Sequence, residues 1–188
     1  VFFGEYLPYI FKIPAKLAGA GELVASFEAR RNRVPGAEIK ILRTAFGNIG
    51  VMICSEPLSP SIVRSLSAIL TPDNQLISAN MLFNINSEAL FHGSRAYTAQ
   101  NRAVLQMRAV ENRRPIAQAT NAGASFAVAA AGAIAEQASD TAKNTIIYAQ
   151  IKPSDTLSFY TIFGDWIVLA SAIVLICAAI LIHKRRAK

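Results

Sequence analysis

The chain has 188 residues, 53% of them hydrophobic and 16% charged. So apolar a composition excludes an intrinsically disordered segment, and a chain of this length can bury a real core. The net charge of +7 comes from 19 basic and 12 acidic residues. Four of the basic residues (Lys184, Arg185, Arg186, Lys188) crowd the last five positions, which removes the case for a nucleic-acid-binding surface.

Residues 12–37 mix small, basic and Gly/Pro residues and read as a long surface loop. Residues 49–54 (IGVMIC) form a short apolar run after Gly47 and Asn48, the pattern of a buried strand. Pro57 and Pro60 interrupt the chain, residues 61–70 read as a short helix, and the turn signal TPDN leads to a second strand over 75–79. Residues 94–113 give the longest amphipathic helix, with Tyr97, Val104, Met107 and Val110 at roughly helical spacing and Pro115 ending it. Strands are expected at 116–120, 124–130 and 145–151, separated by the turns NAG and AGA, and 154–163 reads as a connecting segment. Helices alternating with strands, and no internal repeat, indicate a layered α/β domain.

Residues 166–182 (WIVLASAIVLICAAILI) carry no charge, Gly or Pro. As a helix of about 1.5 Å per residue this run is roughly 25 Å long, enough to approach the thickness of a hydrocarbon core. Trp166 suits one interface, and His183 with the basic run suits the other. The positive-inside rule places the basic end in the cytoplasm and the preceding domain outside. The first residues, FFGEYLPYIF after Val1, have no basic n-region or cleavage site, so a preceding segment is expected.

Cys54 is the best candidate for chemistry. It ends a buried strand and is followed by Ser55, Glu56 and Pro57, so the chain turns sharply where a thiol could be exposed on a rigid scaffold. Glu56 is close enough to orient a base or a substrate amine. The plain alternative is a small core hydrophobe, the usual role of a free cysteine. His92 is in a loop, and two histidines without CxxC or HxxxH spacing make no metal site. No phosphate-binding Gly-rich loop is present, so neither metal nor cofactor is expected. Cys54 and Cys177, one outside and one within the membrane run, cannot make a disulfide.

Four segments in order resemble a known family. GNIGVMICSE at 47–56 is similar to the nucleophile strand of the nitrilase superfamily, G-x-x-G-x-x-I-C-x-E. FFGEYLP at 2–8 resembles the PFGEYLP stretch of apolipoprotein N-acyltransferases. MRAVENRRPIAQATNAGAS at 107–125 resembles that family's M-R-A-x-E-x-x-R-P-x-x-x-x-T-N-x-G-x-S, and YTIFGDW at 160–166 its approach to a closing membrane helix.

The resemblance implies an α/β, nitrilase-like α-β-β-α sandwich on the periplasmic side of a bacterial inner membrane, followed by one C-terminal transmembrane helix. Residues 1–159 would be a partial nitrilase-like domain, 160–165 a linker, 166–182 the membrane helix and 183–188 a basic cytoplasmic tail. The implied activity moves an acyl chain from a phospholipid to the α-amine of a lipoprotein's lipidated N-terminal cysteine. The implied partners are thus a phospholipid, an apolipoprotein and the bilayer. Cys54 would be the nucleophile, with Glu56 and Glu5 supporting it, and the family's general-base Glu and oxyanion-stabilising Lys would precede Val1. Arg108 and Glu111, one turn apart, would make a structural pair, and Asn121 with Gly123 a tight turn.

The chain departs from the pattern at several positions. Phe2 replaces Pro, Ser55 replaces an aromatic residue, Pro57 is unusual, and Asn101 stands where a His often follows Gln100. The family's N-D-x-W-F loop is matched to Asn80, Met81, Leu82 and Phe83, without the Asp and Trp. Two other readings stay open: a membrane-tethered amidase that uses water as acceptor, and an inactive interaction domain.

Overall fold

The computed structural model describes residues 9–29, 38–70, 73–91, 94–138 and 145–186. Its elements in order are α1 (Tyr9–Leu17), α2 (Gly21–Ala29), β1 (Ile41–Thr44), β2 (Gly47–Ile53), a 3-10 turn at Glu56–Leu58, α3 (Pro60–Ser67), β3 (Ile69–Leu70) and β4 (Leu76–Ile77). They continue with β5 (Met81–Asn86), a second 3-10 turn at Ala89–Phe91, α4 (Arg95–Asn112), β6 (Ile116–Thr120), β7 (Phe126–Val128), β8 (Ile134–Gln137), α5 (Phe159–Phe163) and α6 (Trp166–Arg186).

A six-stranded mixed sheet runs β1-β2-β5-β6-β7-β8. Its centre, β2, β5 and β6, is parallel, while β1, β7 and β8 join antiparallel. Parallel neighbours need crossovers: β2 reaches β5 through α3 and the β3–β4 hairpin, and β5 reaches β6 through α4. Both helices cover one sheet face, α3 on β2 and β5, α4 on β6 and β7. Met52, Val63, Leu66, Leu82, Leu105 and Ile116 meet there as the core. Strand alternation sends Met52 and Leu82 into that core. On the other face Ile53 and Ile85 are exposed.

Gly50 explains how closely α3 can lie on this sheet. Its cross-strand partner is Leu82, and a Cβ at residue 50 would stand 2.6 Å from Leu82 Cδ2 and 3.2 Å from Leu66 Cβ. α4 begins at Ser94, whose hydroxyl accepts the Tyr97 N–H, and ends at Arg113 in left-handed backbone. Both ends agree with the helix expected over 94–113.

Several expectations fail. Much of the loop expected at 12–37 is helical: the Ala, Leu, Glu and Lys content there favours helix, and Gly19, at φ +79°, makes the turn between α1 and α2. Residues 30–37 lie outside the described residues. The strand expected at 75–79 shrinks to β4, which among the described residues pairs with β3 alone. The sheet strand is β5, whose first residues had been matched to the N-D-x-W-F loop; Asn84 and Asn86 on its buried side hid the apolar pattern. Residues 145–151 form no strand, and β8 takes the outer place in the sheet.

The segment 154–163 is not a free connection. Ser154 N–H donates to Asn80 O at 3.0 Å, Ser158 Oγ donates to Glu111 O, and Thr161 Oγ1 donates to Asn112 Oδ1 at 3.3 Å. Arg64 on α3 closes it by donating to Tyr160 O, Thr161 O and Ile162 O at 3.1, 2.9 and 2.9 Å. α6 follows directly. Its stretch Trp166–His183 has mean hydropathy 2.6, none of it is buried in the protein, and it is long and apolar enough to cross a membrane.

Candidate active site

β2 stops at Ile53, and Cys54 turns the chain with φ +55°. A non-glycine residue in left-handed backbone is a strained position that its surroundings must enforce. Two short bonds do so. Cys54 N–H donates to Ile85 O at 2.8 Å, extending the β2–β5 register past the end of the strand. Glu56 Oε2 accepts the Ile53 N–H, also at 2.8 Å, folding the carboxylate back over the turn. Glu56 therefore braces the backbone of the Cys54 turn, a charge-assisted bond being about twice as strong as a neutral one.

The turn opens into a cavity of about 130 Å³. Cys54, Ser55, Pro57 and Leu58 form one wall, and Tyr97, Gln100, Asn101 and Val104 from the first half of α4 form the other. Tyr97 stacks on Phe91, with ring centroids 3.6 Å apart and planes 13° from parallel. Burial pushes the Tyr97 phenol above its ordinary value; Asn86 opposes the shift, and Cys54 and Glu88 add to it. Tyr97 thus stays a neutral hydroxyl beside the thiol, able to donate a hydrogen bond.

Behind the turn lies a set of buried amides. Asn84 and Gln118 are register partners on β5 and β6, joined by Asn84 Nδ2 to Gln118 Oε1 at 2.9 Å. Asn101 reaches down from α4 to Gln118 and to Glu88. Glu88 is in the loop after β5. Residues 87–91 of that loop read Ser-Glu-Ala-Leu-Phe.

Sequence reasoning placed Cys54 and Glu56, and the structure brings them together in one turn. Glu5 and His92 lie outside the described residues. Arg108 and Glu111 make the expected i, i+3 pair at 3.1 Å, with Arg108 buried. Burial pushes the Glu111 carboxyl up, with Arg108 opposing and Asp165 reinforcing. Gly123, at φ +103°, makes the expected turn, and its lack of a side chain leaves room for the Glu88 carboxylate. Asn84, Glu88 and Gln118 were missed, and Tyr97 was read only as an apolar helix position. The available signal was two asparagines two residues apart within a strand, which places both on one face.

Residues 13–160 match the model of the carbon-nitrogen hydrolase family. Among curated proteins, an apolipoprotein N-acyltransferase of Geobacter metallireducens is 28% identical over 183 residues, covering 94% of this chain and 31% of its own length. Another, of Bdellovibrio bacteriovorus, is 30% identical over 89% of this chain and 29% of its own length. The chain therefore spans about a third of the curated relatives it matches. Among solved structures, a carbon-nitrogen hydrolase from Helicobacter pylori superposes with TM-score 0.51 at 22% identity, over 65% of this chain and 46% of that one, which shows a shared fold. A thiol on a strained turn at the end of a central parallel strand, within a matching span of this extent, makes the chain a member of the carbon-nitrogen hydrolase family.

Proposed function

We propose that this chain carries the nucleophile of a membrane-anchored N-acyltransferase. The observation that supports it best is Cys54, strained into left-handed backbone and opening on a cavity walled by Leu58, Val104 and Tyr97, in a chain whose relatives are named apolipoprotein N-acyltransferases. In the first half-reaction the Cys54 thiolate attacks the ester carbonyl of a phospholipid. The C–O bond breaks, the lysophospholipid leaves with a proton, and the acyl chain remains as a thioester. In the second, the free α-amine of a lipidated N-terminal cysteine attacks the thioester, the C–S bond breaks as an amide forms, the thiolate leaves, and the amine's surplus proton passes to the base. Two steps of moderate barrier replace one difficult transfer.

The base and the oxyanion-stabilising Lys are assigned by the resemblance to residues before Val1, and Glu5 to a supporting place. Glu56 holds the turn, and α6 keeps the site at the bilayer where donor and acceptor both reside. The basic tail after Ile182 supports an orientation with the domain on the periplasmic side of a bacterial inner membrane.

The test is Cys54→Ser in the intact protein, assayed for acylation of a diacylated lipopeptide from phospholipid vesicles, with mass spectrometry of the enzyme for the thioester. Loss of both product and adduct is expected; a Cys54→Ser protein that still transfers refutes the proposal. A second reading, hydrolysis with water as acceptor, follows from the chemistry in the family's name. It would be seen as amide cleavage or free fatty acid without acylated amine.

A further inference from the structure

Four buried polar side chains stand behind the nucleophile turn. Glu88 is 2% exposed, Asn84 1%, Gln118 3% and Asn101 8%. Polar groups on an otherwise apolar sheet face are costly unless they are satisfied, and their bonds form one directed chain. Glu88 Oε2 accepts Thr98 Oγ1 at 2.7 Å, and Glu88 Oε1 accepts the Asn101 amide at 3.2 Å. The same Asn101 Nδ2 donates to Gln118 Oε1 at 3.0 Å. Gln118 Oε1 also accepts Asn84 Nδ2 at 2.9 Å, and that group turns its second proton to the Cys54 carbonyl at 3.4 Å.

The direction of the chain is set at its carboxylate end. Both Glu88 oxygens accept, one from Thr98 and one from the NH2 group that Asn101 presents to it. That leaves the Gln118 oxygen as the partner for Asn101, and the oxygen in turn calls for the NH2 group of Asn84. The orientation is kept although Asn84 Oδ1 and Gln118 Nε2 are left buried without a protein partner.

We propose that Glu88 is a positioning residue for Cys54: through Asn101, Gln118 and Asn84 it holds an N–H against the carbonyl of a residue kept in left-handed backbone. The inference rests on Cys54 being the nucleophile. It assigns the acid of the loop after β5 to the interior of the site rather than to a surface that meets the lipoprotein. Gly123 belongs to the same device, since a Cβ there would overlap the Glu88 carboxylate.

The test uses the intact protein in detergent, with Cys177→Ser removing the second thiol of this sequence and peptide mass spectrometry reading the modification at Cys54 itself. The readout is the rate of Cys54 alkylation by iodoacetamide over the pH range in which a thiol titrates, with circular dichroism reporting the folded fraction. Glu88→Met keeps the length and removes the acceptor; Glu88→Gln keeps an oxygen for Asn101. Glu88→Met should slow alkylation about 10- to 100-fold, the usual consequence of misplacing a reacting group, and Glu88→Gln should restore it. Asn84→Ser, which cuts the last link, should match Glu88→Met, and the double variant should be no slower than either single one. Asn84→Ser also decides the matter if Glu88→Met fails to fold. Parental rates in folded Glu88→Met or Asn84→Ser, or equal losses in Glu88→Gln and Glu88→Met, overturn the inference. If Cys54 of the parent reacts no faster than a cysteine in an unfolded peptide, the nucleophile reading itself falls, and this inference with it.

Discussion

Gly50→Ala tests the packing on which the whole site is built. The new methyl group would lie 2.6 Å from Leu82 Cδ2, 3.2 Å from Leu66 Cβ and 3.4 Å from Ala79 Cβ. Ordinary carbon contacts are about 3.5–4.0 Å, so Leu82 must shift by roughly an ångström. It is fully buried, so its shift must displace its neighbours. Overpacking of this kind costs about 1–3 kcal/mol, which for a chain of this size lowers Tm by roughly 2–12 °C. Leu82→Ala alone leaves a cavity and costs about 2–5 kcal/mol. In the double variant the methyl at residue 50 enters the space vacated by Leu82, so the two losses should fall short of their sum by about 1 kcal/mol or more. Urea unfolding of the detergent-solubilised protein, followed by far-UV circular dichroism, gives all four corners of the cycle. A Gly50→Ala protein as stable as the parent, or strictly additive losses, would refute the claim that α3 reaches β2 only because residue 50 lacks a side chain.

The remaining predictions follow from individual groups. Cys54 is left-handed, so Cys54→Gly should unfold at higher urea than Cys54→Ala, by about 1 kcal/mol; equal midpoints would mean the turn stores no strain. Glu111 has a raised carboxyl, so the folded state binds its proton more tightly than the unfolded one. Its contribution to stability is then full below the ordinary value of 4.5 and is lost as pH rises through the folded value. Glu111→Gln should flatten the fall in Tm between those two values, and an unchanged slope would exclude this carboxyl as its source. A green fluorescent protein fused after Lys188 should fluoresce and an alkaline phosphatase fused there should be inactive, if the basic tail is cytoplasmic; the reverse pattern inverts the orientation.

The candidate site was legible in the sequence where it is local. An apolar run ending in Cys-Ser-Glu-Pro specifies a strand, a forced turn and a thiol at the turn within a few residues. Glu56 is only two positions from the thiol, so its part in bracing that turn needs no long-range contact. α4 was equally plain, because Ser94 caps it, Pro115 stops it and its period is regular. α1 and α2 were missed because small and basic residues look like loop until their helix-forming tendency is weighed. β5 was missed because the residues it buries include amides, and polarity inside a strand masks the alternation that would reveal it. The segment 154–163 reads as a connection because its bonds are made by Arg64, Asn80, Glu111 and Asn112, far away along the chain.

By itself, then, the sequence determined the thiol and its turn, the long helix and the apolar span of α6, since each depends on residues within a few positions of one another. The tertiary structure alone decided that Glu88, Asn101, Gln118 and Asn84 meet behind Cys54. Parallel register sets Asn84 opposite Gln118, and the crossover through α4 brings Asn101 over them. Such pairings join positions tens of residues apart, and no local preference of those residues encodes which of them will face each other.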